Sequence, residues 1–267
     1  MFMLFIFVLG LIFGSFVNAL VWRVRTKRKW WGNERSICPK CKHKLSAKDL
    51  VPVISWLALK GKCRYCHKPI SAQYPVVELL TACLFALSYN YWPYGFNTLG
   101  TLALLVWLFC VVIFVALTVY DIKWLILPDK MVATLTGSSL LLAIILAIEA
   151  GGSHFLNKIF SGLLSGIVFF GIFYGLIYFS DGRWIGGGDV KMAFALGLLA
   201  GSITKVVMII FLASCIGTLV TVPLLLTKKL NLTAKVAFGP LLILATIITF
   251  LFGTQLINWY ANTFLYI

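Results

Sequence analysis

The chain has 267 residues, 61% of them apolar and 12% charged, with a mean hydropathy of +0.98. A soluble domain is about half apolar and about a quarter charged, so a water-soluble globule is excluded, and several apolar runs reach the roughly 20 residues that cross a bilayer. The net charge of +15 does not imply nucleic acid, because 14 of the 23 Lys and Arg lie between Arg23 and Lys68, as expected of a cytoplasmic loop between membrane spans.

Residues 1–22 are apolar, with the basic flank after the run. A cleavable signal has a basic start, so a retained first helix with its N-terminus outside is expected. Residues 23–73 form the basic cytoplasmic loop, and a second span covers about 74–91. Trp92-Pro93-Tyr94-Gly95 makes an outer turn rich in interfacial aromatics. A third span, about 98–120, returns inward and delivers Asp121, and Pro128 then interrupts, disfavouring helix at the residue before it, ahead of the next span. Spans are expected at about 130–149 and 156–179, a short one at 190–199, another at 205–226 and a last from about 236. The fold class is all-α, a polytopic membrane protein with about eight transmembrane helices. On this count 21 of the 23 basic residues face the cytoplasm, Lys228, Lys229 and Lys235 among them, and only Lys158 and Lys205 do not.

The basic loop holds four of the seven cysteines: Cys38-Pro-Lys-Cys41, a 21-residue spacer, then Cys63-Arg-Tyr-Cys66. Each pair offers two thiolates from one tight knuckle, and four soft ligands suit tetrahedral zinc. With no open coordination position the metal would be structural. Cys63 to His67 also spells a haem-attachment pattern, which a cytoplasmic loop disfavours, and a redox dithiol is the other alternative. His43 and His67 read as solvated neighbours of the thiolates. Cys83, Cys110 and Cys215 lie in apolar spans, where cysteine acts as a small hydrophobe.

Only eight residues are acidic, and two of them, Asp121 and Asp189, end long apolar runs. Carboxylates at the edge of hydrocarbon are costly and often mark a working site. The two are 68 residues apart, yet the alternation of spans brings both to the cytoplasmic face, where they can meet. Gly186, Gly187 and Gly188 precede Asp189 and let backbone approach a neighbour or an extended substrate closely. Asp129 and Asp181 are competing carboxylates with weaker placement. Two aspartates sharing a proton can hydrolyse a peptide: like charges push their acidities apart, one activates water and the other polarises the carbonyl. A transporter or channel with cation-binding edge carboxylates is the alternative from another class.

The ordered set of motifs resembles the bacterial type IV prepilin peptidases, which are prepilin leader peptidases and N-methyltransferases of the GxGD intramembrane aspartic protease type. The likeness spans nearly the whole chain. It runs from Gly14-Ser15-Phe16-Val17-Asn18 through the cysteine pairs, Ile54-Ser55-Trp56-Leu57, Pro69-Ile70-Ser71 and Tyr74-Pro75-Val76-Val77-Glu78. It continues over Asp121 to Asp129, Gly186 to Lys191 and Phe238-Gly239-Pro240. The resemblance implies that residues 74–267 form the protease core and that Asp121 and Asp189 are its catalytic pair. It implies prepilin or pseudopilin substrates, with a basic leader inside and an apolar helix in the bilayer. It also implies methylation of the new N-terminus from S-adenosylmethionine, although no GxGxxG fingerprint is present. Glu78 is a candidate for substrate or methyl-transfer contact, or for pairing with the basic loop, and Asn18 has a similar standing. The bacterial cytoplasmic membrane is the location it implies.

Overall fold

A computed structural model describes residues 2–28, 36–152, 154–228 and 236–265. Lys229, Lys235 and the 29–35 part of the basic loop, which entered the charge map, lie outside the described residues. The described chain is helical: α1 Phe2–Arg25, α2 Ile54–Ala58, α3 Gln73–Asn90, α4 Thr98–Trp124, α5 Asp129–Ala150, α6 His154–Ser180, α7 Gly187–Ala200, α8 Ile203–Leu226 and α9 Gly239–Tyr260. Extended pairing among the described residues is confined to two isolated bridges, Ile37 with Lys44 and Lys62 with Pro69.

Six of these helices, α1, α4, α5, α6, α8 and α9, are long and apolar enough to cross a membrane. The expected second and sixth spans are present as helices α3 and α7, but the count of eight crossings is not established. α3 carries Gln73, Glu78 and Asn90 within its 18 residues, which dilutes its apolar character. α7 has only 14 residues, about 21 Å at 1.5 Å each, against a hydrocarbon core of about 30 Å. Ten of its residues are buried, so its apolar character serves packing against protein.

The chain divides into two compact units. The first comprises residues 1–90 with 111–116 of α4. Here α1 and α3 approach closely because glycine faces the crossing: a Cβ on Gly10 or Gly14 would lie 2.6 Å from the Cα of Ala82 or Glu78. Gly10 and Gly14 are four residues apart, the small-residue spacing that lets membrane helices touch. Phe13 and Phe85 pack beside the contact, with ring centroids 5.8 Å apart.

The second unit comprises residues 91–110 and 117–267. α7 lies in its interior, in contact with α5, α6, α8 and α9. Gly197 meets Gly166 of α6, where a Cβ would stand 2.6 Å from the opposing Cα. Trp107 stacks on Phe250 at 3.8 Å and 9°. The third span ends later than expected. α4 continues one turn past Asp121 to Trp124, where Leu125 turns left-handed (φ 53°) and donates its amide to the Asp121 carbonyl at 2.8 Å. Pro128 stands in the non-helical stretch 125–128 between the two helices, as expected, and is the residue just before α5.

Candidate active site and metal centre

Three helix ends of the second unit converge on a pair of carboxyl groups. Asp121 stands in the last turns of α4, Asp189 in the first turn of α7, and Gly239 opens α9. A Cβ on Gly239 would lie 2.7 Å from Asp121 Oδ2 and 3.4 Å from Asp189 Oδ1. The two oxygens are therefore no more than 6.1 Å apart, the sum of those distances. Both side chains are buried, with 6% of Asp121 and 9% of Asp189 exposed. The Gly239 amide bonds to Asp121 and the Gly186 amide to Asp189. Asp189 Oδ1 is buried without a hydrogen-bond partner among the described residues. An unsatisfied buried oxygen is costly and calls for explanation, and a reacting group between the carboxyls would supply one.

The glycine run positions α7. A Cβ on Gly188 would stand 2.9 Å from Leu127 Cβ, so only glycine admits the chain segment that follows Asp121 so near to α7. Gly187 has nothing within 4 Å of its Cβ position. The competing carboxylates are engaged elsewhere. Asp129 accepts from Lys191 Nζ at 2.6 Å, and Asp181 from Arg183 at 3.3 Å, both largely exposed.

In the first unit the four loop cysteines meet. The sulfurs of Cys38, Cys41, Cys63 and Cys66 all lie within 4.8 Å of one another, a set that could hold one metal ion. The two knuckles repeat one backbone design. Cys38 and Cys63 donate their amides to the carbonyls of His43 and Lys68, and Lys42 and His67 take the left-handed conformation (φ 60° and 55°). Burial alone would raise the Cys38 thiol, but bonds from the Cys41 and Lys40 amides and from the Cys41 and Cys63 thiols outweigh it and bring the group down to about 7. The His43 amide would lower Cys41, but burial and the facing Cys38 and Cys66 thiols push it up to about 11, so Cys38 and Cys41 share one proton. Asp49 joins the second knuckle to the chain between them, accepting from Arg64 Nε at 2.8 Å, Tyr65 Oη at 3.1 Å and the Ser46 amide at 3.0 Å. Burial opposes its charge, yet the Arg64, Ser46 and Tyr65 bonds hold its carboxyl down to about 2.

Comparison with known proteins fits this arrangement. The model of the bacterial peptidase A24 N-terminal domain matches residues 8–92, and that of the type IV leader peptidase family matches residues 107–222. A protein of Aeromonas hydrophila named prepilin leader peptidase/N-methyltransferase is 31% identical, with 97% of this chain and 94% of that protein aligned. The chain belongs to the type IV leader peptidase family. Proteins of the same name from Neisseria gonorrhoeae and Bacillus subtilis are 31% and 28% identical, covering 95% and 96% of this chain and 92% and 96% of their own. No solved structure matches.

Within this leader peptidase family chain, Asn18 and Glu78 occupy a node between α1, α3 and the loop. Asn18 Nδ2 donates to the Tyr74 carbonyl at 3.1 Å and Gln73 Nε2 donates to Asn18 Oδ1 at 3.4 Å. Glu78 accepts the Val53 amide at 2.7 Å and a bond from the Ser15 side chain. Among the described residues its loop partner is thus the Val53 backbone amide. Sequence reasoning treated Gly239 only as part of a motif and missed its position against both carboxyls. The glycine-proline pair at a helix start was the available signal. It also passed over Asp49, whose role depends on a fold that no local pattern displays.

Proposed function

We propose that the chain is a membrane aspartic endopeptidase that removes the leader of type IV prepilins or pseudopilins and then methylates the new N-terminus. The observation that carries this is the convergence of Asp121 and Asp189, one on α4 and one on α7, over the bare Cα of Gly239 in a chain of this family. Two carboxylates this close and this buried do not both ionise readily, so one proton is shared. The ionised member takes a proton from water, whose oxygen attacks the scissile carbonyl carbon while the protonated member donates to the carbonyl oxygen. The tetrahedral diol then expels the amine, which receives a proton from the dyad while a diol hydroxyl returns one to it, leaving the carboxyl product and the dyad in its starting state. Ion translocation, the other chemistry open to such acids, is not favoured in this family.

The aspartates and the cysteine loop belong at the cytoplasmic face, where the positive-inside rule puts the basic residues. A leader held there would place its scissile bond at the dyad. The four-cysteine set fits zinc, and Cys38, Cys41, Cys63 and Cys66 would hold it in a closed, structural site. Methyl transfer would use S-adenosylmethionine. The described residues carry no strand-turn-helix cradle for a nucleotide, and no step is assigned through the donor.

The test is purified protein with a labelled prepilin, scored by product mass with and without S-adenosylmethionine. Leader loss plus one methyl is expected for the natural chain, and loss of cleavage for Asp121→Asn and for Asp189→Asn. Near-normal cleavage by both variants would refute the dyad.

A further inference from the structure

The loop's short helix turns an apolar face away from the protein. In α2, Trp56 points inward: its Nε1 donates to the Ile70 carbonyl at 3.2 Å, and the ring lies over Gly61, whose Cβ position is 3.0 Å from it. On the other side Ile54 and Leu57, one turn apart, are 65% and 61% exposed. Leu50 and Val51 just before them are also exposed. Four exposed large apolar side chains within the eight residues from Leu50 to Leu57, in the most basic stretch of the chain, are not an ordinary water-facing surface.

Glu78 sets the height of this patch. Its bond to the Val53 amide pins the start of α2 beside the sixth residue of α3, about 7–8 Å along that helix from Gln73. The pin holds an unusual backbone. Val53 has φ 61° and ψ −52°, and the Ile54 amide donates to the Pro52 carbonyl at 2.5 Å. This is the rare, strained hand of γ-turn, adopted here by a β-branched residue. Strain of this kind persists only where the surroundings enforce it. Ile54, next to Val53, is thereby tied to the stretch of α3 that exposes its own apolar Val76, Leu79 and Leu80. Lys48, Lys60 and Lys62 are exposed around the patch.

We propose that α2, with Leu50 and Val51, is an interfacial foot resting in the adjacent membrane leaflet, with Ile54 and Leu57 among the acyl chains and the lysines on anionic headgroups. Lipid is the occupant because the face is tied to the exposed apolar side of α3 and is rimmed by cations of one sign. The foot would fix the metal-binding loop against the membrane surface independently of which substrate is cleaved.

The experiment uses the full chain in vesicles of phosphatidylethanolamine and phosphatidylglycerol, with a diazirine side chain at position 54 or, as control, at position 68. Zinc content reports that each labelled loop is folded. Irradiation should attach phospholipid at 54 and not at 68, and replacing phosphatidylglycerol by phosphatidylcholine should lower the yield at 54 several-fold. Lipid adducts that are absent at 54, or equal at both positions, would overturn the foot. A yield indifferent to headgroup charge would overturn the role of the lysines. If added prepilin takes the adduct in place of lipid, the face is a substrate-docking surface and the proposal fails.

Discussion

Gly239→Ala should separate catalysis from stability. The added methyl would stand 2.7 Å from Asp121 Oδ2, where ordinary contact begins at 3.4 Å, so the oxygen must retreat by 0.7 Å. The carboxyl is the end of a flexible side chain and can move at little cost to the fold. Alanine gains up to about 1 kcal/mol over glycine in a helix, but Pro240 disfavours helical geometry for a preceding residue that carries a Cβ. Those effects oppose each other, and the melting temperature should change little. Catalysis is less forgiving, since a misplacement near 1 Å costs on the order of 100-fold. For a retreat of 0.7 Å, a fall in kcat of about 10- to 100-fold is expected, or about 1.4–2.7 kcal/mol. The assay is leader removal by purified protein, with thermal unfolding in parallel. A variant with unchanged melting and unchanged kcat would refute the placement of the reacting groups at this junction.

Cys63→Ser should release the metal and loosen the loop while leaving the α4–α9 helices folded, as read by zinc content and protease sensitivity of residues 36–72. Glu78→Ala leaves the Val53 amide without its acceptor, a loss of about 1–3 kcal/mol in loop stability, whereas Glu78→Gln keeps an acceptor and should melt near the natural chain. If Glu78→Gln instead abolishes methyl transfer with the loop intact, Glu78 acts through its charge. Asp49 gives a pH signature: its folded carboxyl lies near 2 and its ordinary value is 3.8, so its contribution is complete above about 4 and is lost as pH falls through about 2. At neutral pH, where the thiolates still hold the metal, trypsin should therefore cut residues 36–72 of Asp49→Asn faster than those of the natural loop. Equal cleavage of the two chains would exclude the carboxylate as a tie within the loop.

Much of the site was legible because its chemistry is concentrated in rare residues. Acidic side chains are so few here that Asp121 and Asp189 stand out against hydrocarbon, and paired cysteines at knuckle spacing carry their geometry with them. Helix ends were less legible. α4 overran its expected end because a left-handed Leu125, which no propensity favours, terminates it beyond Asp121. α7 has the apolar pattern of a short span, but that most of its 14 residues would be buried inside its unit was not legible.

By itself, the order of residues determined that the chain is helical and membrane-embedded, where its charges gather, and which side chains could bind metal or share a proton. These follow from composition, periodicity and spacing, which act locally along the chain. Tertiary structure alone decided that Gly239 lies against both carboxyls, that Glu78 holds a strained turn by its backbone, and that Asp49 ties the second knuckle to the preceding turn. Each depends on segments tens or more than a hundred residues apart meeting at atomic distance, and only packing of the whole chain sets those distances.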